Sequence, residues 1–179
     1  RRTYLLKYFK EQLGEDGKIV ATDMQLSAPA LTAADIRIQV PAVYADDYID
    51  RTIDICKQNK IDAIICLNDL ELPILSENFE RFEAIGAKPI VSPKEVIDIC
   101  FDKCRTAQYV KSIGLNTPKT YVNYNQAVEA LQSGELKFPL VLKPRWGSGS
   151  IGIEFVNDFE ELEETYNSLV KKVKKTILA

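Results

Sequence analysis

The chain has 179 residues and a formal net charge of -3, with 46% hydrophobic and 27% charged residues. That is room for one domain, or one and a fraction, around a buried core. The mild acidity gives no reason to expect nucleic acid or a membrane surface as partner. No apolar run reaches the length of a membrane span, and no signal peptide is visible. Cys56, Cys66, Cys100 and Cys104 lack C-x-x-C spacing and there is no histidine. A zinc site is therefore not expected, and the cysteines read as reduced thiols of a cytoplasmic protein.

Tyr4, Leu5, Tyr8, Phe9 and Leu13 recur at helical spacing, and Gly14 closes that helix. KIVATDM, residues 18–24, predicts a strand, and a small-residue connection over 28–35 leads to a second strand over 36–40 that Pro41 stops. Asp46 or Asp47 caps a helix whose Ile49, Ile53 and Cys56 share a face. AIICL, residues 63–67, is wholly apolar, as in buried strands of parallel sheets. A helix over 70–84, ended by Gly86, and a strand over 88–91 complete the alternation. Strands and helices alternating at this spacing predict an α/β fold with the four strands in one parallel, Rossmann-like sheet. The first strand of such a sheet is usually central, and this chain opens on a helix. The expectation is that a strand before Arg1 has been lost, leaving that helix over a gap or a sheet edge.

From Ser92 the character changes, which places a boundary between residues 1–91 and residues 92–179. Ser92-Pro93 reads as serine cap and first-turn proline of a helix to Phe101. A second helix runs from Asp102-Lys103 to Ile113, closed by Gly114. A strand over 119–122 and a helix over 126–131 capped by Asn125 follow. Beyond the glycine loop, Leu162, Tyr166 and Leu169 mark the inner face of a helix over 159–172, whose end carries Lys171, Lys172, Lys174 and Lys175. This second part reads as an α+β lobe.

Its chemistry is concentrated in FPLVLKPRWGSGSIGIEFV, residues 138–156. A short apolar strand ends at Lys143, and Arg145, Trp146 and the run Gly147, Ser148, Gly149, Ser150, Ile151, Gly152 come next. Glycines let backbone N–H groups approach an anion, and a lysine adds a point charge, so the stretch suits a polyphosphate. The glycines match G-x-G-x-x-G, but the dinucleotide fingerprint requires a helix directly afterwards. Here Ile153 to Val156 is rich in strand formers. The loop therefore reads as the turn of a strand-loop-strand hairpin, a flap over phosphates, with a plain hairpin turn as the bland alternative. Arg145 suits either a phosphate or an acidic neighbour. Asn68, Asp69 and Glu71 lie where α/β sheets bind ligands, but they equally suit a helix cap with first-turn acids.

The order of these motifs, SPKEVIDICFDKCRTAQYVKSIGLNTPKTY followed by FPLVLKPRWGSGSIGI, resembles the ATP-grasp superfamily. Residues 1–91, with KIVATDM and IDAIICLNDLEL, resemble the pre-ATP-grasp domain. Within the superfamily the chain is similar to proteins like the large subunit of carbamoyl-phosphate synthase, over nearly its whole length. The resemblance implies that Lys103 contacts ATP phosphate, that Lys143 reaches the α and β phosphates, and that Gly147 to Gly152 close over the triphosphate. It implies ATP and Mg2+ as cofactors. It also implies a ligase that joins a carboxylate or bicarbonate to an amine or ammonia through an acylphosphate. The expected nucleotide-binding set is Lys103, Lys143, Arg145, Gly147, Ser148, Gly149, Ser150 and Gly152. The family's magnesium ligands and adenine hinge lie downstream of the second lysine and are not found before Ala179, so the metal ligands are expected outside this chain. The chain alone is not expected to turn over substrate. A non-catalytic nucleotide-binding or regulatory module of the same fold stays open. So does a dinucleotide-binding oxidoreductase domain built around Asp23, and a homo-oligomer is left open.

Overall fold

The computed structural model describes residues 3–147 and 149–177, of which 173–177 are described by backbone alone. Contacts divide the chain into two compact units, Arg1–Val91 and Ser92–Ala179.

The first unit is built from two parallel strand pairs around one helix. Strand β1 (Val20–Asp23) lies beside β2 (Ile36–Gln39), in register from Val20 opposite Ile36 to Asp23 opposite Gln39. A 3-10 turn, Pro29–Ala33, connects them and buries Leu31. Helix α1 (Thr3–Leu13) packs on that turn through Leu6, and Lys10 pairs with Asp35. The second pair is β3 (Ala63–Ile64) with β4 (Lys88–Pro89), also parallel. Helix α2 (Tyr48–Asn59) serves both pairs. Tyr48 and Ile55 pack with Val40, Val20 and Ile38 on one side. Ile53 and Cys56 pack with Leu75, Phe82, Ala87 and Ile64 on the other.

The α/β class and the parallel pairing are as expected, but several expectations need correction. The strands form two two-stranded sheets among the described residues, not one sheet of four. Each pair closes its own core against α2, and β3 and β4 are joined by the Lys88 amide on the Asp62 carbonyl and the Ile90 amide on the Ile64 carbonyl. AIICL is not buried on both faces: Ile65 is 46% exposed and Leu67 38%. The helix expected over 70–84 is a 3-10 turn (Asp69–Glu71) followed by α3 (Leu72–Glu77) and α4 (Phe79–Glu83), broken at Asn78. Asn78 donates its side-chain N–H to the Ile74 carbonyl and competes there with the helical ladder. In α1 the buried residue is Leu6, while Tyr4, Tyr8 and Phe9 stand exposed.

The second unit opens with a helical pair. Helix α5 (Lys94–Phe101) and α6 (Lys103–Ser112) are separated by Asp102, whose backbone is extended at φ -96 and ψ 108. The helix begins after Pro93, so Ser92 is not its cap. The stretch 119–122 forms no strand; Lys119 and Tyr121 instead reach the Glu135 side chain. Helix α7 (Tyr124–Gln132) is capped by Asn123, not Asn125, its Oδ1 accepting from the Asn125 and Gln126 amides. Strands β5 (Leu140–Leu142) and β6 (Glu154–Val156) are antiparallel, and the glycine stretch connects them. Helix α8 (Phe159–Ile177) buries Leu162, and its Tyr166 ring lies 4.8 Å from that of Tyr124. Lys174 and Lys175 lie outside the described side chains.

Candidate functional site: a lysine pair under a glycine hairpin

The site lies wholly in the second unit and begins with the helix break at Asp102. Its carboxylate Oδ1 accepts from the Cys104 and Arg105 amides, 2.9 and 3.3 Å away, which caps α6. Lys103 is consequently the first residue of α6. Its backbone N–H donates to the Arg145 carbonyl at 3.2 Å. Its side-chain Nζ donates to the Gly147 carbonyl at 2.9 Å. Two bonds thus tie the start of α6 to the chain leaving β5.

Arg145 supplies a third tie. Its Nε lies 2.9 Å from each Asp102 carboxylate oxygen, and a terminal guanidinium nitrogen lies 2.6 Å from Oδ2. This is a fork-on-carboxylate pair. Asp102 is 4% exposed, so the carboxylate is shielded and relies mainly on that partner, with Arg105 Nε more distant at 4.0 Å. The guanidinium holds the Asp102 carboxyl below the usual carboxylate range, against the opposing effect of burial. The guanidinium carbon also stands 4.8 Å from the centre of the Trp146 ring.

Lys143 follows β5 directly and is exposed. Burial and the nearby Lys143 charge both push the Lys103 amine below its ordinary range, partly offset by Asp102. Two like charges held together in this way make a site that favours an anion. Beyond them the hairpin turns through positive φ at Gly147, Gly149, Ser150 and Gly152. A side chain at Gly152 would lie 3.0 Å from the Pro144 ring, so that position is closed to larger residues by contact as well as by conformation. Ser148 lies outside the described residues.

The expected residues therefore fall into two groups. Lys103 reaches Gly147 and feels the Lys143 charge, and Arg145 faces Asp102. Gly149, Ser150 and Gly152 form the turn above β5 and β6, and a strand follows it where the dinucleotide fingerprint needs a helix. Sequence reasoning missed Asp102 as a buried partner. The signal available was an acid at a helix break with an unassigned arginine two residues after Lys143.

In the first unit Glu71 lies beside Cys66 and Tyr48. The Cys66 thiol donates to the Asn68 carbonyl at 2.8 Å and reaches Glu71 Oε2 at 3.4 Å. The Tyr48 phenol lies near enough to Glu71 to favour its charged form. Burial pushes the Glu71 carboxyl up, reinforced by Asp23, and pushes the Cys66 thiol up to about 12. Asn68 caps the 3-10 turn through the Leu70 amide at 3.2 Å. Among the described residues no group of three or more histidine, cysteine or acidic residues is placed to hold a metal.

The second unit thus sets an antiparallel hairpin with a glycine turn next to a lysine from a helix start and a lysine from the strand end. The family model of the PylC-like N-terminal domain matches residues 1–90, and that of the ATP-grasp domain matches residues 100–177. The chain belongs to the PylC-like N-terminal domain family, with an ATP-grasp match following it. It is 29% identical over 83 residues to the carbamoyl phosphate synthase large chain of Campylobacter jejuni, covering 46% of this chain and 8% of that protein. It is 34% identical over 82 residues to D-alanine–D-alanine ligase of Aquifex aeolicus, covering 45% of this chain and 27% of that ligase. Among solved structures it is similar to the biotin carboxylase domain of Hydrogenobacter thermophilus 2-oxoglutarate carboxylase, crystallised with MgADP and bicarbonate. The TM-score is 0.67 at 25% identity, over 94% of this chain and 39% of that one. The chain thus spans well under half the length of these proteins. No helix among the described residues is long and apolar enough to cross a membrane.

Proposed function

We propose that this chain provides the phosphate-gripping part of an ATP-dependent ligase that joins a carboxylate or bicarbonate to an amine or ammonia through an acylphosphate. The observation that carries the reading is the Lys103 Nζ bond to the Gly147 carbonyl at the start of the glycine turn, with Lys143 exposed at the end of β5. A triphosphate carries several negative charges. It is held where cations and backbone donors meet, and its reaction is accelerated mainly by positioning and charge stabilisation. Lys143, exposed at the end of β5, meets the phosphates as a point charge. Lys103 exchanges the Gly147 carbonyl for a phosphate oxygen, which frees the start of the hairpin turn to settle over the nucleotide. In this reading residues 1–91 are the pre-ATP-grasp domain and residues 92–179 the first part of the ATP-grasp domain. The carbamoyl phosphate synthase and D-alanine–D-alanine ligase relatives support the ligase class.

Magnesium, which the family implies, does not fit the residues here. The side chains that converge are lysines, and no carboxylate cluster among the described residues is placed to ligate a cation.

The test is ATP titration by calorimetry on the full-length protein and on Lys143→Met, with a thermal melt as control. A loss of about tenfold or more in affinity with an unchanged melt is the expected result. Equal affinities would remove Lys143 from the site. ATP binding by the full-length protein without turnover of any carboxylate and amine pair would favour a non-catalytic nucleotide-binding module.

A further inference from the structure

We propose that Asp102 and Arg145 are positioning residues that hold Lys103 beside Lys143, and that Arg145 is not itself a phosphate ligand. The inference rests on the ATP reading above and deepens it.

A buried carboxylate beside a polyphosphate site is electrostatically adverse, since it repels the ligand. Asp102 is 4% exposed and adjoins Lys103, so its presence there calls for a different role. Its bonds supply one. One side of the carboxylate caps α6 through the Cys104 and Arg105 amides. Both oxygens also accept the Arg145 fork, at 2.9 Å from Nε and 2.6 Å from a terminal nitrogen. The same short segment takes the Lys103 amide on the Arg145 carbonyl and the Lys103 ammonium on the Gly147 carbonyl. Lys103 and Gly147 are 44 positions apart in sequence, so no local geometry brings them together. The ion pair is the strongest of the three ties, because both partners are charged and the geometry is forked.

Arg145 is correspondingly committed. Its Nε and one terminal nitrogen are aimed at Asp102, and its guanidinium carbon stands over Trp146. A phosphate would have to take it from a buried carboxylate that would then keep only its two cap amides and a 4.0 Å approach of Arg105 Nε, which is costly. Lysine cannot reproduce the fork, so a charge-preserving replacement should not restore the function.

The experiment measures ATP and adenosine affinity by calorimetry on the full-length protein. The variants are Asp102→Asn, Arg145→Lys, Arg145→Met and the Asp102→Asn/Arg145→Met double, each with a thermal melt. Asparagine is also a good helix cap, so Asp102→Asn keeps the start of α6 while losing the ion pair. The expected result is about a tenfold loss of ATP affinity in Asp102→Asn, although it removes a negative charge from beside the phosphates. Arg145→Lys should be as weak as Arg145→Met, and the double should be no weaker than the weaker single, because the pair acts as one unit. Adenosine, which lacks phosphates, should bind all variants as it binds wild type. Unchanged or tighter ATP binding in Asp102→Asn overturns the proposal. So does an additive loss in the double, or a parallel fall in adenosine affinity. If Asp102→Asn does not melt cooperatively, Arg145→Lys carries the same comparison. A wild-type protein that takes no ATP overturns the ATP reading and this inference together. ATP binding by wild type that Asp102→Asn leaves intact overturns this inference alone.

Discussion

The Cys66 thiol lies 3.4 Å from the Glu71 carboxylate, just past the end of β3, with the Tyr48 phenol nearby. The other charge acting on Glu71 is also acidic, from Asp23. Burial and the Asp23 charge make this carboxylate costly to ionise, and the thiol and phenol beside it offset that only in part.

Glu71→Gln should therefore stabilise the protein at neutral pH, by about 1 kcal/mol. The sign follows from linkage. Glu71 has a folded-state pKa above its ordinary 4.5, so the folded state holds the proton more tightly than the unfolded chain. Its favourable contribution is complete below 4.5 and is lost as pH rises through the raised folded value. The gap between variant and wild type should be widest near pH 7 and close as pH falls towards 4.5. Thermal melts across that range measure it, and a gap that widens on acidification would refute the assignment.

The thiols should differ in reactivity. Burial pushes Cys56 up to about 11 and Cys66 up to about 12, so little thiolate is available at either near pH 8. Cys100 is exposed and unpaired in a disulfide. Timed iodoacetamide labelling read by peptide mass spectrometry should modify Cys100 well before Cys56 and Cys66. Early labelling of Cys66 would mean that the cluster around Glu71 opens readily.

Gly152 is the glycine of the hairpin that its surroundings restrict. Its φ is +74, and an added Cβ would meet the Pro144 ring at 3.0 Å and Leu169 at 3.6 Å. Gly152→Ala should cost about 1–2 kcal/mol from backbone conformation, with the Pro144 contact adding to it. Denaturant unfolding of the two proteins gives the difference. A cost below a few tenths of a kcal/mol would show that the turn relaxes.

Much of the second unit was legible in the residues. Strand formers directly after Gly152 require a hairpin and exclude the helix of a dinucleotide fingerprint. The Asp102-Lys103 pair marks a helix start, because an aspartate that caps cannot also continue the preceding helix. In the first unit, alternation of strand and helix patterns was enough to establish parallel pairing. These features depend on local conformational preference, which the sequence states directly.

Tertiary structure decided what depends on partners distant in sequence. AIICL has the composition of a buried strand, yet Ile65 and Leu67 remain exposed because the ladder with β4 stops after Ile64. Asn123 and Asn125 are equivalent as caps by composition, and the direction of the chain entering α7 selects Asn123. Arg145 suits a phosphate and a carboxylate equally by chemistry. The fold places the buried Asp102 within reach of its fork, and a shielded carboxylate needs a paired cation.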